Sequence, residues 1–352
     1  MASALARETD SNRERASTSS VRGPATFWPI VFAIMVAVLA VVIGIAVFVA
    51  MWGRDSGPPA ASLTIPPPYR ADRAEAYLRQ ICDFGPRPSG SAAMLQQQEF
   101  LENYFTKAGA EVEMQAFKQR DPNTGAGIEM VNIIARFNPD AKQRYLLCAH
   151  YDTRPFPDRD PVNPRGVFVG ANDGASGVAA LMELAHHVDS LPPSIGVDMV
   201  MFDGEELVYQ ERRDSYFLGS TYFAQNYINS QPKKPYIAGV LLDMVGDREL
   251  RIYYERNSWN YARDVCKSVF ETAEMLEVDA FVPRVRHDIR DDHLPLNEIA
   301  KIPTIDIIDF DYPRPGIGAP QYWHTTQDTP ENCSGHSIAT VVYVIHQWLM
   351  RL

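Results

Sequence analysis

Three stretches of this chain, residues 197–202, 237–242 and 302–308, are near-continuous apolar runs. Runs of that kind suit strands covered on both faces, where no residue can afford to turn toward water. Two further β-rich runs, 131–137 and 145–148, stand upstream. Helical patterns lie between and around them. Met94, Leu101, Tyr104, Phe105 and Ala108 share one helical face after a Gly-Pro-Arg-Pro-Ser-Gly turn at 85–90. Val178, Leu181, Met182, Ala185 and Val188 share another, ahead of Pro192 and Pro193. Ile338, Val341, Val342, Ile345 and Leu349 mark a last one. Such alternation predicts an α/β fold: a single globular domain with a central mixed, mainly parallel β-sheet flanked by helices. In that architecture ligands sit at the carboxyl ends of the strands.

The polar residues that break the pattern cluster at those ends. His150-Tyr151-Asp152, Asn172-Asp173-Gly174, Asp203-Gly204-Glu205-Glu206, Asp243 and Trp323-His324 each end a strand or open the loop after one. A lone Asp there is more often a helix cap, and a lone His more often structural than a ligand. Adjacent glutamates are harder to dismiss: their side chains diverge, so one can bind a metal while the other moves a proton. Carboxylates and imidazoles in this mix suit zinc with an open coordination position. A net charge of −11 over 352 residues argues against a nucleic-acid partner. Cys82, Cys148, Cys266 and Cys333 are scattered and match no zinc-finger spacing. They read as buried thiols, or as one disulfide if the domain faces an oxidising compartment.

The N-terminal region is separate in character. Residues 1–26 are polar and rich in Ser, Arg and Glu, and read as a disordered tail. Residues 27–52 contain no charge and have Trp28 and Trp52 near their ends. As a helix they would run about 39 Å, longer than the hydrocarbon core of a bilayer. A cleaved signal peptide is the rival reading, with a shorter apolar region. Arg7, Arg13, Arg15 and Arg22 precede the span and Arg54 alone follows closely. That asymmetry predicts a cytoplasmic N-terminus and an extracytoplasmic catalytic domain (periplasm, cell surface or secretory lumen). Five prolines between positions 57 and 68 make residues 53–69 a stiff stalk, leaving 70–352 as the zinc-dependent catalytic domain.

Taken in order, the motifs resemble the zinc-dependent aminopeptidase family with co-catalytic metals, and within it the glutaminyl-peptide cyclotransferases. The resemblance covers residues 70–352. Ala149-His150-Tyr151-Asp152-Thr153-Arg154-Pro155, Gly170-Ala171-Asn172-Asp173-Gly174-Ala175-Ser176-Gly177, Phe202-Asp203-Gly204-Glu205-Glu206 and Trp323-His324-Thr325 look like the family's metal and base motifs. For a two-metal peptidase the resemblance implies zinc on His150, Asp173 and Asp243, and a second zinc on Asp173, Glu206 and His324. For a cyclase it implies one zinc on Asp173, Glu206 and His324. In both, Glu205 would be the base and Asp152 would orient His150 through a hydrogen bond. Ligand identity does not separate the two.

Three features favour the cyclase. Arg290-Asp291-Asp292-His293 resembles the cyclase Asp-Asp-His segment, giving Asp291 a catalytic role beside Glu205 and Asp243. Trp323 before His324 matches the cyclase pocket wall. The loop after Glu206 has cyclase-like length. The implied substrates are peptide or protein N-termini, cyclised from glutamine to pyroglutamate. Hydrolytic aminopeptidase activity is the alternative, and a non-catalytic binding ectodomain a minor one. Two departures from the animal enzymes, no Trp in Val208-Tyr209-Gln210-Glu211-Arg212-Arg213 and Asp306 in place of a His, bring the chain nearer to bacterial-type cyclases. They put the pocket lining and substrate preference in question, as does a long Gly- and Pro-rich loop at 312–321.

Overall fold

The computed structural model describes residues 31–33, 35–42, 64–312 and 321–352. Most of the apolar span 27–52, the tail 1–26 and the stalk up to residue 63 lie outside them. Residues 31–33 and 35–42 are helical. Among the described residues no helix is long and apolar enough to cross a membrane.

The larger unit is a single α/β domain. Helices α1 (Ala71–Cys82) and α2 (Ala92–Lys107) lead into strands β1 (Glu111–Arg120), β2 (Gly127–Phe137) and β3 (Gln143–His150). A long loop carries the chain to α3 (Gly177–Ala185), β4 (Ile195–Phe202), α4 (Leu218–Ser230) and β5 (Tyr236–Asp243). The remainder comprises β6 (Ile252–Tyr254), α5 (Arg256–Tyr261), α6 (Arg263–Met275), β7 (Phe281–Val285), α7 (His293–Glu298), β8 (Thr304–Ile308) and α8 (Gly335–Met350). The main sheet has the order β1-β2-β4-β3-β5-β8. Its β1–β2 and β2–β4 pairs are antiparallel, and its β4–β3, β3–β5 and β5–β8 pairs are parallel. β6 and β7 form a separate two-stranded sheet.

Apart from the exposed Ile237 and Pro303, the three apolar runs are buried on both faces, as their composition requires. On β3, Tyr145, Leu147 and Ala149 enter the larger core with α1, α3 and α8, while Leu146 and Cys148 enter a second core with Phe223 and Ala224 of α4 and Leu296 of α7. Leu147 is fully buried, so truncation to Ala would cost about 2–5 kcal/mol. Ser91 caps α2 by accepting from the Met94 N–H at 3.1 Å.

Some elements differ from the sequence pattern. The third apolar run starts its strand only at Thr304, because Pro303 has no N–H to give the ladder. α3 ends at Ala185, short of Val188, in 3₁₀-type bonds from His186 to Glu183 and His187 to Leu184. β1 and the β6–β7 ribbon were not apparent as strands. β1 largely alternates exposed and half-buried residues and carries two acidic and two basic side chains, Glu111, Glu113, Lys118 and Arg120, in place of an apolar run. All four cysteines are buried and free.

Candidate active site

The parallel strands deliver their carboxyl ends to one rim. His150 closes β3, Asp243 closes β5, and Asp203 follows β4. Parallel register sets His150 opposite Phe202 and Asp243 opposite Ile308. Two loops complete the rim, one supplying Asp173 at the entry to α3 and the other His324 between β8 and α8.

Asp173 stands between two histidines. Its Oδ1 is 3.2 Å from His150 Nε2 and its Oδ2 is 3.4 Å from His324 Nε2. Asp243 Oδ1 lies 3.2 Å from His150 Nε2, and Glu206 Oε1 lies 2.7 Å from His324 Nε2. Two buried donor sets result, His150–Asp173–Asp243 and Asp173–Glu206–His324, sharing Asp173. His324 Nε2 and Asp173 Oδ2 are buried without a hydrogen-bond partner. Ligand atoms on a tetrahedron with zinc bonds of 2.0–2.1 Å stand about 3.3–3.4 Å apart. Burial, then the charge of Glu206, raises the Asp173 carboxyl to about 6, against the opposing pull of His150. Orphaned donors at tetrahedral spacing and mutually repelling carboxylates both fit a divalent cation of zinc's preferences.

The local backbone is built for this approach. Gly174 has φ +98°, and a Cβ there would meet the Asp152 carbonyl oxygen at 2.6 Å. Only glycine accommodates both demands. His324 takes a left-handed φ of 55°, a conformation costing a non-glycine residue about 1–3 kcal/mol. Its loop is held from below: Arg159 N–H donates to the His324 carbonyl at 3.1 Å, and Asp158 Oδ1 is 3.3 Å from His324 Nδ1.

Asp152 does something other than the motif suggested. It is 3.6 Å from His150 Nδ1, beyond hydrogen-bond reach. Its two oxygens accept instead from the backbone N–H groups of Glu205, at 3.1 Å, and Glu206, at 3.0 Å. The carboxylate thus clamps the turn that carries both glutamates.

Three further residues carry weight that their sequence context did not reveal. The fully buried Arg154 donates its backbone N–H to Glu206 at 3.0 Å and a guanidinium N–H to Glu206 at 3.3 Å. Its guanidinium also grips Asp158 at 2.9 and 3.0 Å. Burial raises the Asp158 carboxyl, but His324 and Arg154 outweigh it and hold the group down at about 2. Asp328 accepts from the backbone N–H groups of Asn172, at 2.7 Å, and Asp173, at 3.1 Å. Arg154 and Asp158 sit in an irregular loop, where no periodicity announces a partner. Asp328 is 155 positions from Asp173, and only its placement four residues after His324 hints at a role.

Behind the donors lies an acidic cluster. Burial, then Glu206, pushes the Glu205 carboxyl well above the ordinary carboxylate range, with Asp291 and Asp292 adding to the rise. Asp291 is likewise raised well above its usual value by burial, then by Asp243 and Asp292. Asp306 follows the same pattern, with neither oxygen hydrogen-bonded. His293 is fully buried, its Nε2 3.3 Å from Glu255 and its Nδ1 4.0 Å from Asp306. Half-buried Trp323 lies against the His324 ring, centroids 3.9 Å apart, and Arg159 covers its outer face at 4.5 Å. The structure therefore brings together Asp173, Glu206, His324, His150, Asp243, Glu205, Asp291, Asp152 and Trp323 on one rim.

Comparison with known proteins agrees with this geometry. Residues 132–349 match Peptidase family M28. Fimbriiglobus ruber glutaminyl cyclase superposes with a TM-score of 0.76 at 37% identity, over 81% of this chain and 96% of that one. A leucine aminopeptidase precursor from Bacteroides thetaiotaomicron gives 0.74 at 30% identity, over 82% and 99%. The glutaminyl-peptide cyclotransferase of Gloydius blomhoffii is 28% identical over 62% of this chain, and the match spans 64% of that relative's length.

Proposed function

The chain belongs to peptidase family M28, and from that premise we propose that it is a zinc-dependent glutaminyl-peptide cyclotransferase, converting N-terminal glutamine of peptides to pyroglutamate with release of ammonia. The observation that carries this reading is the buried acidic cluster, in which, on top of burial, Asp243 raises the Asp291 carboxyl and Asp291 in turn raises that of Glu205. A hydrolase needs one base beside its metal; a cyclase must also steer a neutral amide and an ammonia leaving group.

Asp173, Glu206 and His324 would hold one zinc ion, which when bound supplies Lewis-acid polarisation of a carbonyl oxygen. Glu205, held on its rim by the Asp152 clamp, accepts a proton from the attacking α-amine and returns it to the departing ammonia. Asp291, whose buried Oδ2 has no hydrogen-bond partner, holds the side-chain amide beside Asp243. Trp323 walls the glutamine stem and keeps water out, which matters because hydrolysis is the competing reaction.

A zinc aminopeptidase is the second reading, and the donor set His150–Asp173–Asp243 favours it, since a second metal would fit there. Incubation with an N-terminal Gln peptide and an N-terminal Leu peptide separates the two. Ammonia from the first and no amino acid from the second supports the cyclase; free leucine without ammonia refutes it. One zinc per chain agrees with the cyclase and two with the peptidase. Glu205→Gln should cut turnover by about 10²–10⁴ while zinc stays bound.

The uncharged stretch 27–52 supports a second part of the proposal, a single-pass anchor with the catalytic domain extracytoplasmic. Recovery of the full chain in the soluble fraction after alkaline extraction of membranes would reject it.

A further inference from the structure

A tryptophan wall serves a binding pocket best when the plane of its ring is fixed before the substrate arrives, because ordering it later is subtracted from affinity. Trp323 is half-buried. His324 lies against its ring with centroids 3.9 Å apart, and Phe310 meets it edge-on at 5.1 Å. A cation adds a further contact: the guanidinium of Arg159 lies 4.5 Å over the indole, well inside cation–π range.

The proposed chemistry gives Arg159 no part, yet the residue is held at both ends. Its backbone N–H donates to the His324 carbonyl at 3.1 Å. The next residue, Asp160, accepts from the N–H groups of Val162, Asn163 and Thr326 at 2.9, 2.8 and 2.9 Å, and so ties the same turn to the His324 loop again. At the far end, the guanidinium donates to Glu211 Oε1 at 2.6 Å, across 52 positions of sequence. Glu211 belongs to the 208–213 loop, the stretch without a Trp that put the pocket lining in question. It also stands 3.8 Å from the guanidinium of the buried Arg154, which contacts Glu206.

Stability is a poor account of this pair. Both side chains are exposed, 39% and 46%, and exposed ion pairs contribute little because water screens them and two long chains must be ordered. The ordering is what the site can use. A guanidinium anchored by a carboxylate presents a flat cation to the indole, and stacks on it as a lysine ammonium could not.

We infer that Arg159 is a positioning residue for the reaction: anchored by Glu211, its side chain pins Trp323 and sets the pocket wall before the substrate binds. The inference rests on the reading of Trp323 as the wall for the glutamine stem. Its loss falls on binding and spares the chemical step, since Glu205 keeps the Asp152 clamp and Glu206 keeps Arg154.

The test uses the zinc-loaded full chain and the peptide Gln-Ala-Ala, following both ammonia and free glutamine. Arg159→Ala should raise KM roughly two- to fivefold, the range of a cation–π contact at a partly exposed site, with kcat within about twofold and zinc affinity unchanged. Glu211→Gln should move KM the same way by a smaller factor. Acrylamide quenching of tryptophan emission reports the ring directly: Arg159→Ala should increase it, and should leave it unchanged when combined with Trp323→Phe. An unchanged KM overturns the inference, as does a quenching increase that persists without Trp323. A joint fall of kcat and zinc affinity overturns it as well, because Arg159 would then act through His324. Free glutamine in place of ammonia would overturn the cyclase reading alone, since KM and quenching judge Arg159 with either product.

Discussion

Asp152→Asn tests the clamp that one carboxylate places on the glutamate turn. The side chain is fully buried and accepts from the Glu205 and Glu206 N–H groups at 3.1 and 3.0 Å. Asparagine keeps the shape and one acceptor, but its NH₂ must face the other backbone N–H. The lost bond is charge-assisted and contributes about 1.5–3 kcal/mol; the surviving bond becomes a neutral one of about half the strength. Removing a negative charge near Asp203, which Asp152 pushes upward, returns part of that cost. The net expectation is a loss of about 2–3 kcal/mol, read as a lower urea midpoint at unchanged slope in protein stripped of metal with a chelator. With Glu206 displaced, zinc affinity should fall about 10–100-fold. A stability change within about 0.5 kcal/mol for Asp152→Asn, or unchanged zinc affinity, would refute the clamp.

Gly174→Ala forces a Cβ to 2.6 Å from the Asp152 carbonyl oxygen at φ +98°, and should cost at least about 2 kcal/mol, seen as a lower melting temperature by circular dichroism. Arg154→Lys loses the two-pronged grip on Asp158 and the contact to Glu206, so zinc should bind about tenfold more weakly in a chelator competition titration. Asp306→Asn tests the buried acidic cluster. Burial, then Asp291, raises the folded-state pKa of Asp306 above its unfolded value near 3.8. The unfolded chain therefore releases this proton first, and the wild-type carboxyl loses stability as pH climbs above about 4. Urea midpoints at pH 5 and pH 8 should show the variant gaining on wild type with rising pH, and a pH-independent difference would count against the cluster.

Much of the fold was legible because it rests on composition. The runs at 197–202, 237–242 and 302–308 are strands for the reason their apolarity suggests: Leu146 and Leu147 on neighbouring β3 face two different cores, so alternation has nothing polar to alternate with. β1 was missed because an edge strand keeps one face in water and its charges look like a loop. The β6–β7 ribbon was missed because three-residue pairing leaves too short a pattern.

For the site, residue types at strand ends were enough to nominate Asp173, Glu206, His324, His150, Asp243 and Glu205, because metal ligation and proton transfer demand those side chains there, whereas Asp291 followed only from resemblance to the cyclase Asp-Asp-His segment. What the sequence by itself determined was this chemical inventory and the layered sheet that carries it. Tertiary structure decided the assignments within it. It gave Asp152 to the glutamate turn and Asp158 to His324. It put Arg154 under Glu206, and Asp328 under the Asp173 backbone from 155 positions away. Hydrogen bonds of a few ångströms between loops leave no periodic trace in the chain, because their partners meet only after the strands have brought their ends to one rim.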